Sequence, residues 1–169
     1  MEEYLIVDGY NIIHAWPELE RIYRTSMEHA RARLVDILVN YAALSGEHVV
    51  VVFDAHRLKG RGHAEDAGGV EVIYTPGGVT ADEVIEQLAG ELARRGVVYV
   101  ATGDGMEQRV ILGRGAYRLT ARELREKVQR AALEGRRFYT TGRPADGYLE
   151  NRLEETIKNI FERWRKDGH

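Results

Sequence analysis

Apolar positions along the chain fall into two kinds of run. Four runs are short and unbroken: YLIV (4–7), HVVVVF (48–53), VEVIY (70–74) and VVYVAT (97–102). They are β-branched and do not alternate with polar residues, which is the pattern of strands covered on both faces. AYRL (116–119) is a weaker fifth. Between them the spacing turns helical. SMEHARARLVDILVNYAALSG (26–46) opens on Ser26 as N-cap and closes on Gly46. Segments 80–96 and 120–135 each begin with a capping box, Thr80 with Glu83 and Thr120 with Glu123. In 146–166, Leu149, Leu153, Ile157, Ile160, Phe161 and Trp164 recur at helical intervals.

Strands alternating with helices predict a three-layer α/β fold. A central, mostly parallel sheet of four to five strands is flanked by helices. The stretch 54–69 reads as a long irregular loop, and loops of that length in a compact domain are usually functional. The chain shows no internal repeat. The expected organisation is one domain over 1–145, with a helix over 146–169 packed on it and GRPADG (142–147) as the hinge.

Composition narrows the chemistry. The 169 residues include no cysteine, which removes disulfides, thiolate metal sites and a cysteine nucleophile. No apolar run reaches the roughly 20 residues of a membrane span, and the N-terminus lacks a signal-peptide pattern. The expectation is a cytoplasmic protein with no membrane partner. Net charge is −3, but residues 109–143 hold ten Lys or Arg against three Glu. That local +7 leaves −10 elsewhere, an asymmetry that suggests one surface for a polyanion. A pair of arginine-rich solvated helices would give the same count.

In open α/β sheets the ligand crevice lies beyond the carboxyl ends of the strands. Each strong strand here leads to an aspartate: Asp8, Asp54, Asp82 across TPGGVTA, and Asp104 across Thr102 and Gly103. Singly, each has a plain structural use as a turn residue, a helix cap or a dipole partner. Together they converge on one edge, where carboxylates repel unless a cation sits between them. Hard oxygen ligands without Cys or paired His select Mg²⁺ or Mn²⁺. Such a metal beside a basic surface implies a phosphodiester substrate, and a nucleic acid is the natural one.

Other readings lack their motifs. DGYNII is not G-x-G-x-x-G, and no P-loop sequence occurs, so no nucleotide cofactor is expected. An aspartyl-phosphate phosphatase would want an acid where Tyr10 stands, and no G-x-S-x-G elbow exists. A receiver domain would carry an aspartate directly after the third strand, where TPGG follows instead. The six histidines show no metal spacing. Tyr10 and Tyr117 are candidates for stacking on a base.

The ordered motifs VDGYNII-HAWPEL, VVVVFDAH, TADEVIE and TGDGMEQRVI…GAYRLTARELREKV resemble the YacP-like NYN ribonucleases, a branch of the PIN-like nucleases. The likeness runs from about residue 4 to about 130. It implies a PIN-like fold, metal-dependent endoribonuclease activity and action on mRNA at the ribosome. It carries roles onto Asp8 and Asn11 (D-G-x-N), Asp82 (T-A-D) and Asp104. The family's further acid, four residues after the last, is Gln108 here, with Glu107 or Glu83 as substitutes. Gly105 stands where the family has a larger residue.

The residues thus imply a site in which Asp8, Asp82 and Asp104 bind Mg²⁺ or Mn²⁺ and Asn11 orients Asp8 or a water. A water would attack the phosphate in line and leave a 5′-phosphate. Arg57, Lys59, Arg61, Arg109, Arg114 and Arg118 would hold the flanking RNA phosphates, and Asp54 would anchor its loop. The alternatives are a non-catalytic RNA- or ribosome-binding module with a depleted site, favoured by Gln108, and a metal-dependent phosphatase.

Overall fold

The computed structural model describes residues 2–55, 62–103, 115–137 and 155–163. Its strands are β1 (Glu2–Asp8), β2 (His48–Phe53), β3 (His63–Ala67), β4 (Val70–Tyr74), β5 (Gly96–Ala101) and β6 (Tyr117–Leu119). Its helices are α1 (Gly9–Ala15), α2 (Pro17–Thr25), α3 (Met27–Ser45), α4 (Ala81–Leu92), α5 (Ala121–Arg137) and α6 (155–163). The strands form one sheet in the order β3-β4-β2-β1-β5-β6. All neighbours run parallel except β3 and β4.

The α/β architecture is the one the pattern predicts, but the sheet has six strands rather than four or five. The added strand, β3, lies inside the stretch that reads as an irregular loop. HAEDA is almost wholly exposed at the edge of the sheet, so it carries no apolar signal to reveal it. Its hairpin to β4 turns on Gly68 and Gly69, both left-handed at φ 63° and 95°, the backbone that two-residue hairpins demand.

Alternation along the central strands sorts side chains into two cores. Tyr4, Ile6, Val50 and Val52 face α4 and α6, while Leu5, Val7, Val49, Val51 and Phe53 face α1, α2, α3 and α5. Each fully buried Val, Leu or Ile contributes about 1.5–3 kcal/mol, so a one-residue slip, which would swap every face, is strongly opposed. Ile157 and Ile160 of α6 are buried in the first core. Residues 138–154 and 164–169, the GRPADG turn included, lie outside the described residues.

Helix ends follow their sequence signals. The Ser26 hydroxyl accepts from the His29 amide at 3.1 Å, and α3 stops at Gly46 with φ 83°. Both capping boxes form. Residues 9–25 fold as two short helices separated at Trp16, because Pro17 can start a helix but not continue one. Trp16 is buried, and its indole donates to the Ala121 carbonyl at 2.9 Å, tying this corner to the start of α5. Among the described residues no helix is long and apolar enough to cross a membrane.

Candidate active site

The same alternation aims the first carboxylates. Counting by twos from Tyr4 and Ile6 reaches Asp8, and from Val50 and Val52 reaches Asp54. Both therefore leave the sheet on the α4 side, at the carboxyl edge. The first turn of α4 comes to meet them with Asp82. Asp8, Asp54 and Asp82 line one cleft of about 330 Å³ with Tyr10, Asn11, His14 and Ala81.

Asp8 is 8% exposed. It holds the N-cap position of α1, yet its side chain makes no capping bond. Its carboxylate instead accepts from Asn11 Nδ2 at 3.5 Å, the long end of the range, while Asn11 Oδ1 accepts from the Gly103 amide at 3.2 Å. Asn11 thus bridges the ends of β1 and β5. A side chain at 103 would close this bridge: its Cβ would lie 2.6 Å from Asn11 Oδ1. Gly9 is needed for packing, since a Cβ there would run into the Phe53 ring.

Asp54 Oδ2 accepts from the amide of Ala81 at 3.3 Å, across 27 residues of chain. Ala81 is the first residue of α4, so Asp54 pins the helix that carries Asp82. The loop that follows β2 is held further by the Ala55 amide on Thr75 Oγ1 at 3.0 Å. Asp82 itself is exposed. Thr80 and Glu83 satisfy the helix end between them, so the Asp82 carboxylate is not needed as a cap. The arrangement can present clustered carboxylate oxygens, one of them deeply seated, to a cation or to a phosphate-bound cation.

The chain matches the YacP-like NYN domain over residues 5–166. It is 42% identical over 166 residues to the YacP protein of Bacillus subtilis (strain 168), with 96% of each chain covered. The chain belongs to the YacP-like NYN family. The crystal structure of Rae1 (YacP) from Bacillus subtilis is similar at a TM-score of 0.69 and 39% identity, covering 96% of this chain and 94% of that one. A mutant of that protein gives 0.70 and 38%, with 92% of each covered. Membership in this family supports a nuclease-type, RNA-related function.

Within this NYN fold, the residues singled out from the sequence divide. Asp8, Asn11 and Asp82 come together in the cleft, and Asp54 joins them. Asp104, Gln108, Glu107 and Gly105 lie outside the described residues, as do Arg57, Lys59, Arg61, Arg109 and Arg114. Glu83 does not line the cleft and is engaged in its capping box. Arg118 is half-buried on β6 and does not line the cleft; its Nε is buried with no hydrogen-bond partner among the described residues. Tyr10 is half-buried, with its hydroxyl accepting from Arg31 at 3.0 Å. Tyr117 is exposed and packs on Tyr99.

The basic stripe is partly neutralised. On α5, Arg122 pairs with Glu126, Arg125 with Glu18, and Lys127 with Glu47 at 3.2 Å. Lys127 also sits over the Tyr99 ring. Glu18 comes from α2 and Glu47 from the link between α3 and β2, so part of the positive charge holds α5 in place. One cleft residue had no signal of its own in the sequence. His14 looks like a stray histidine, because its partner Glu20 lies six residues on and in another helix.

Proposed function

We propose that this chain is a metal-dependent endoribonuclease that hydrolyses RNA phosphodiester bonds, using Mg²⁺ or Mn²⁺, and acts on mRNA associated with the ribosome. The observation that carries the reading is the convergence of Asp8, Asp54 and Asp82, with Asn11, in one cleft at the carboxyl edge of the sheet. The ribosome and mRNA come from the family likeness alone.

The donor set fits a hard cation: carboxylate oxygens and no thiolate. Among the described residues no group of three or more His, Cys, Asp or Glu gathers tightly enough to hold a metal unaided. That suits Mg²⁺, which keeps several waters and binds through one or two carboxylates plus substrate phosphates. Asp8 and Asp82, with Asp104, are the residues that would hold it. When bound, the cation would offset phosphate charge and make a water more acidic. The chain's own part is positional. Asn11 fixes the direction of the Asp8 carboxylate, and Asp54 sets where Asp82 arrives. Arg57, Lys59, Arg61, Arg109, Arg114 and Arg118 would bind the flanking phosphates, so RNA affinity should weaken as salt rises.

The test is Asp8→Asn, with RNA free and on translating ribosomes, with and without Mn²⁺. The isosteric amide should leave folding intact and lower cleavage by about 10²-fold or more, the usual cost of removing a charge that stabilises the transition state. Wild-type cleavage by this variant would exclude the mechanism. A non-catalytic RNA-binding module, the reading that Gln108 favours, would instead bind RNA and leave it uncut under every condition.

A further inference from the structure

The cleft contains a polar pair that the carboxylates do not explain. His14 of α1 lines it together with Asp8, Asp54 and Asp82. Its Nδ1 lies 2.5 Å from Glu20 Oε2 on α2. An ionised carboxylate can only accept, so Nδ1 carries the hydrogen. The Glu20 carboxyl is held below its ordinary range, first by this hydrogen bond and against a smaller burial effect, so it stays ionised at neutral pH. Arg24 approaches the other Glu20 oxygen at 3.6 Å. The Tyr23 ring meets the imidazole edge-on at 4.5 Å between centroids and limits its rotation. With Nδ1 tied to Glu20, Nε2 is the ring nitrogen left without a part in this pair.

A carboxylate-oriented imidazole is a device for moving protons near neutral pH. The pair is open to solvent, with the His14 side chain 47% and Glu20 28% exposed, while His14 also lines the cleft and packs on Tyr23. The groups facing His14 are Glu20 and Tyr23 from α2, with Arg24 behind Glu20. Tyr10 and Asn11 from α1 and the three aspartates complete its surroundings.

We propose that His14, oriented by Glu20, is a catalytic residue that protonates the leaving 3′-oxygen during RNA hydrolysis. The inference rests on the nuclease reading above. Water attacks phosphorus and releases one proton to solvent, the bond from phosphorus to the 3′-oxygen breaks, and its electron pair goes to that oxygen. The oxygen takes the proton from His14 Nε2, giving a 3′-hydroxyl and a 5′-phosphate. The neutral imidazole keeps its Nδ1 hydrogen on Glu20 and regains the other from solvent. Glu20 is a positioning residue, since it acts through His14.

The experiment compares wild type, His14→Gln and Glu20→Ala on a single-stranded RNA and on the same RNA with sulfur in place of the scissile 3′-oxygen. A thiolate leaves without a proton. His14→Gln should lower kcat on the oxygen substrate by about 10²-fold, with KM within about twofold. On the sulfur substrate it should match wild type within about threefold. Glu20→Ala should lower kcat on the oxygen substrate by about tenfold. Nitrogen NMR of the metal-free protein gives a separate readout: His14 should hold its hydrogen on Nδ1 in wild type and lose that preference in Glu20→Ala. Equal losses on both substrates, no loss on either, or an Nδ1 without hydrogen in wild type would overturn the proposal. A wild-type protein that cuts neither RNA, free or on translating ribosomes, would overturn the nuclease reading and this inference with it. Cleavage by wild type with His14→Gln unaffected would overturn this inference alone.

Discussion

Two helices of this protein start with nearly the same four residues. α4 begins TADE (80–83) and α5 begins TARE (120–123), and both form the full capping box through Thr and Glu. The one difference, Asp82 against Arg122, falls on the position the box does not use. At α4 the preceding residue, Ala81, is held by a carboxylate from the end of β2, and Asp82 lines the cleft. At α5 the corresponding Ala121 is held by the Trp16 indole, and Arg122 forms a surface pair with Glu126. The cap builds the helix end in both cases. What that end does is decided by the residue the cap leaves over and by what the sheet brings beside it.

Exchanging the odd residue gives the largest effect. Asp82→Asn should lower RNA cleavage by about 10²-fold, whereas Arg122→Asn should leave it within about twofold; steady-state cleavage of one RNA by both proteins decides it. The next effect separates stability from function. Thr80→Ala and Thr120→Ala should each cost about 1 kcal/mol in urea unfolding, but only the α4 variant should also slow cleavage, since only that helix end carries Asp82. Equal cleavage by the two would break the comparison.

Asp54→Ala removes the acceptor for Ala81 and should cost about 1 kcal/mol, with reduced cleavage that Asp54→Asn partly restores through its amide oxygen. The smallest effect concerns pH. The Thr120 backbone amide, then the Thr120 side chain, hold Glu123 below its ordinary 4.5. A depressed carboxyl contributes stability that is present above pH 4.5 and lost as pH falls through the lower folded value. Glu123→Gln should therefore flatten the acid side of the stability curve slightly. An unchanged slope in acid-unfolding titrations would remove Glu123 from that limb.

Much of the fold is legible because burial on both faces writes unbroken β-branched runs, and caps write Ser26, Thr80 and Thr120. β3 is not legible, because an exposed edge strand needs no apolar residues. α2 does carry a helical period in Leu19, Ile22 and Tyr23, which a reading by strands and long helices passes over. At the candidate site, Asp8 and Asp82 stand out by position just past a strand and just inside a helix. Asp54 is easy to undervalue, since its bond to Ala81 spans 27 residues. His14 is invisible without Glu20, which only the turn at Trp16 and Pro17 brings back to it. The basic stripe reads as free charge until Glu18 and Glu47 are found against it.

By itself, then, the sequence determined the parallel sheet and the edge to which its aspartates are delivered, because strand burial and period two act over a few residues. Only the tertiary structure decided which of those carboxylates share a cleft and that Asn11 fastens Asp8 to Gly103. It also decided that a histidine held by another helix shares that cleft. Those contacts join residues up to 92 positions apart, and no local pattern encodes a distance that the packing of layers alone sets.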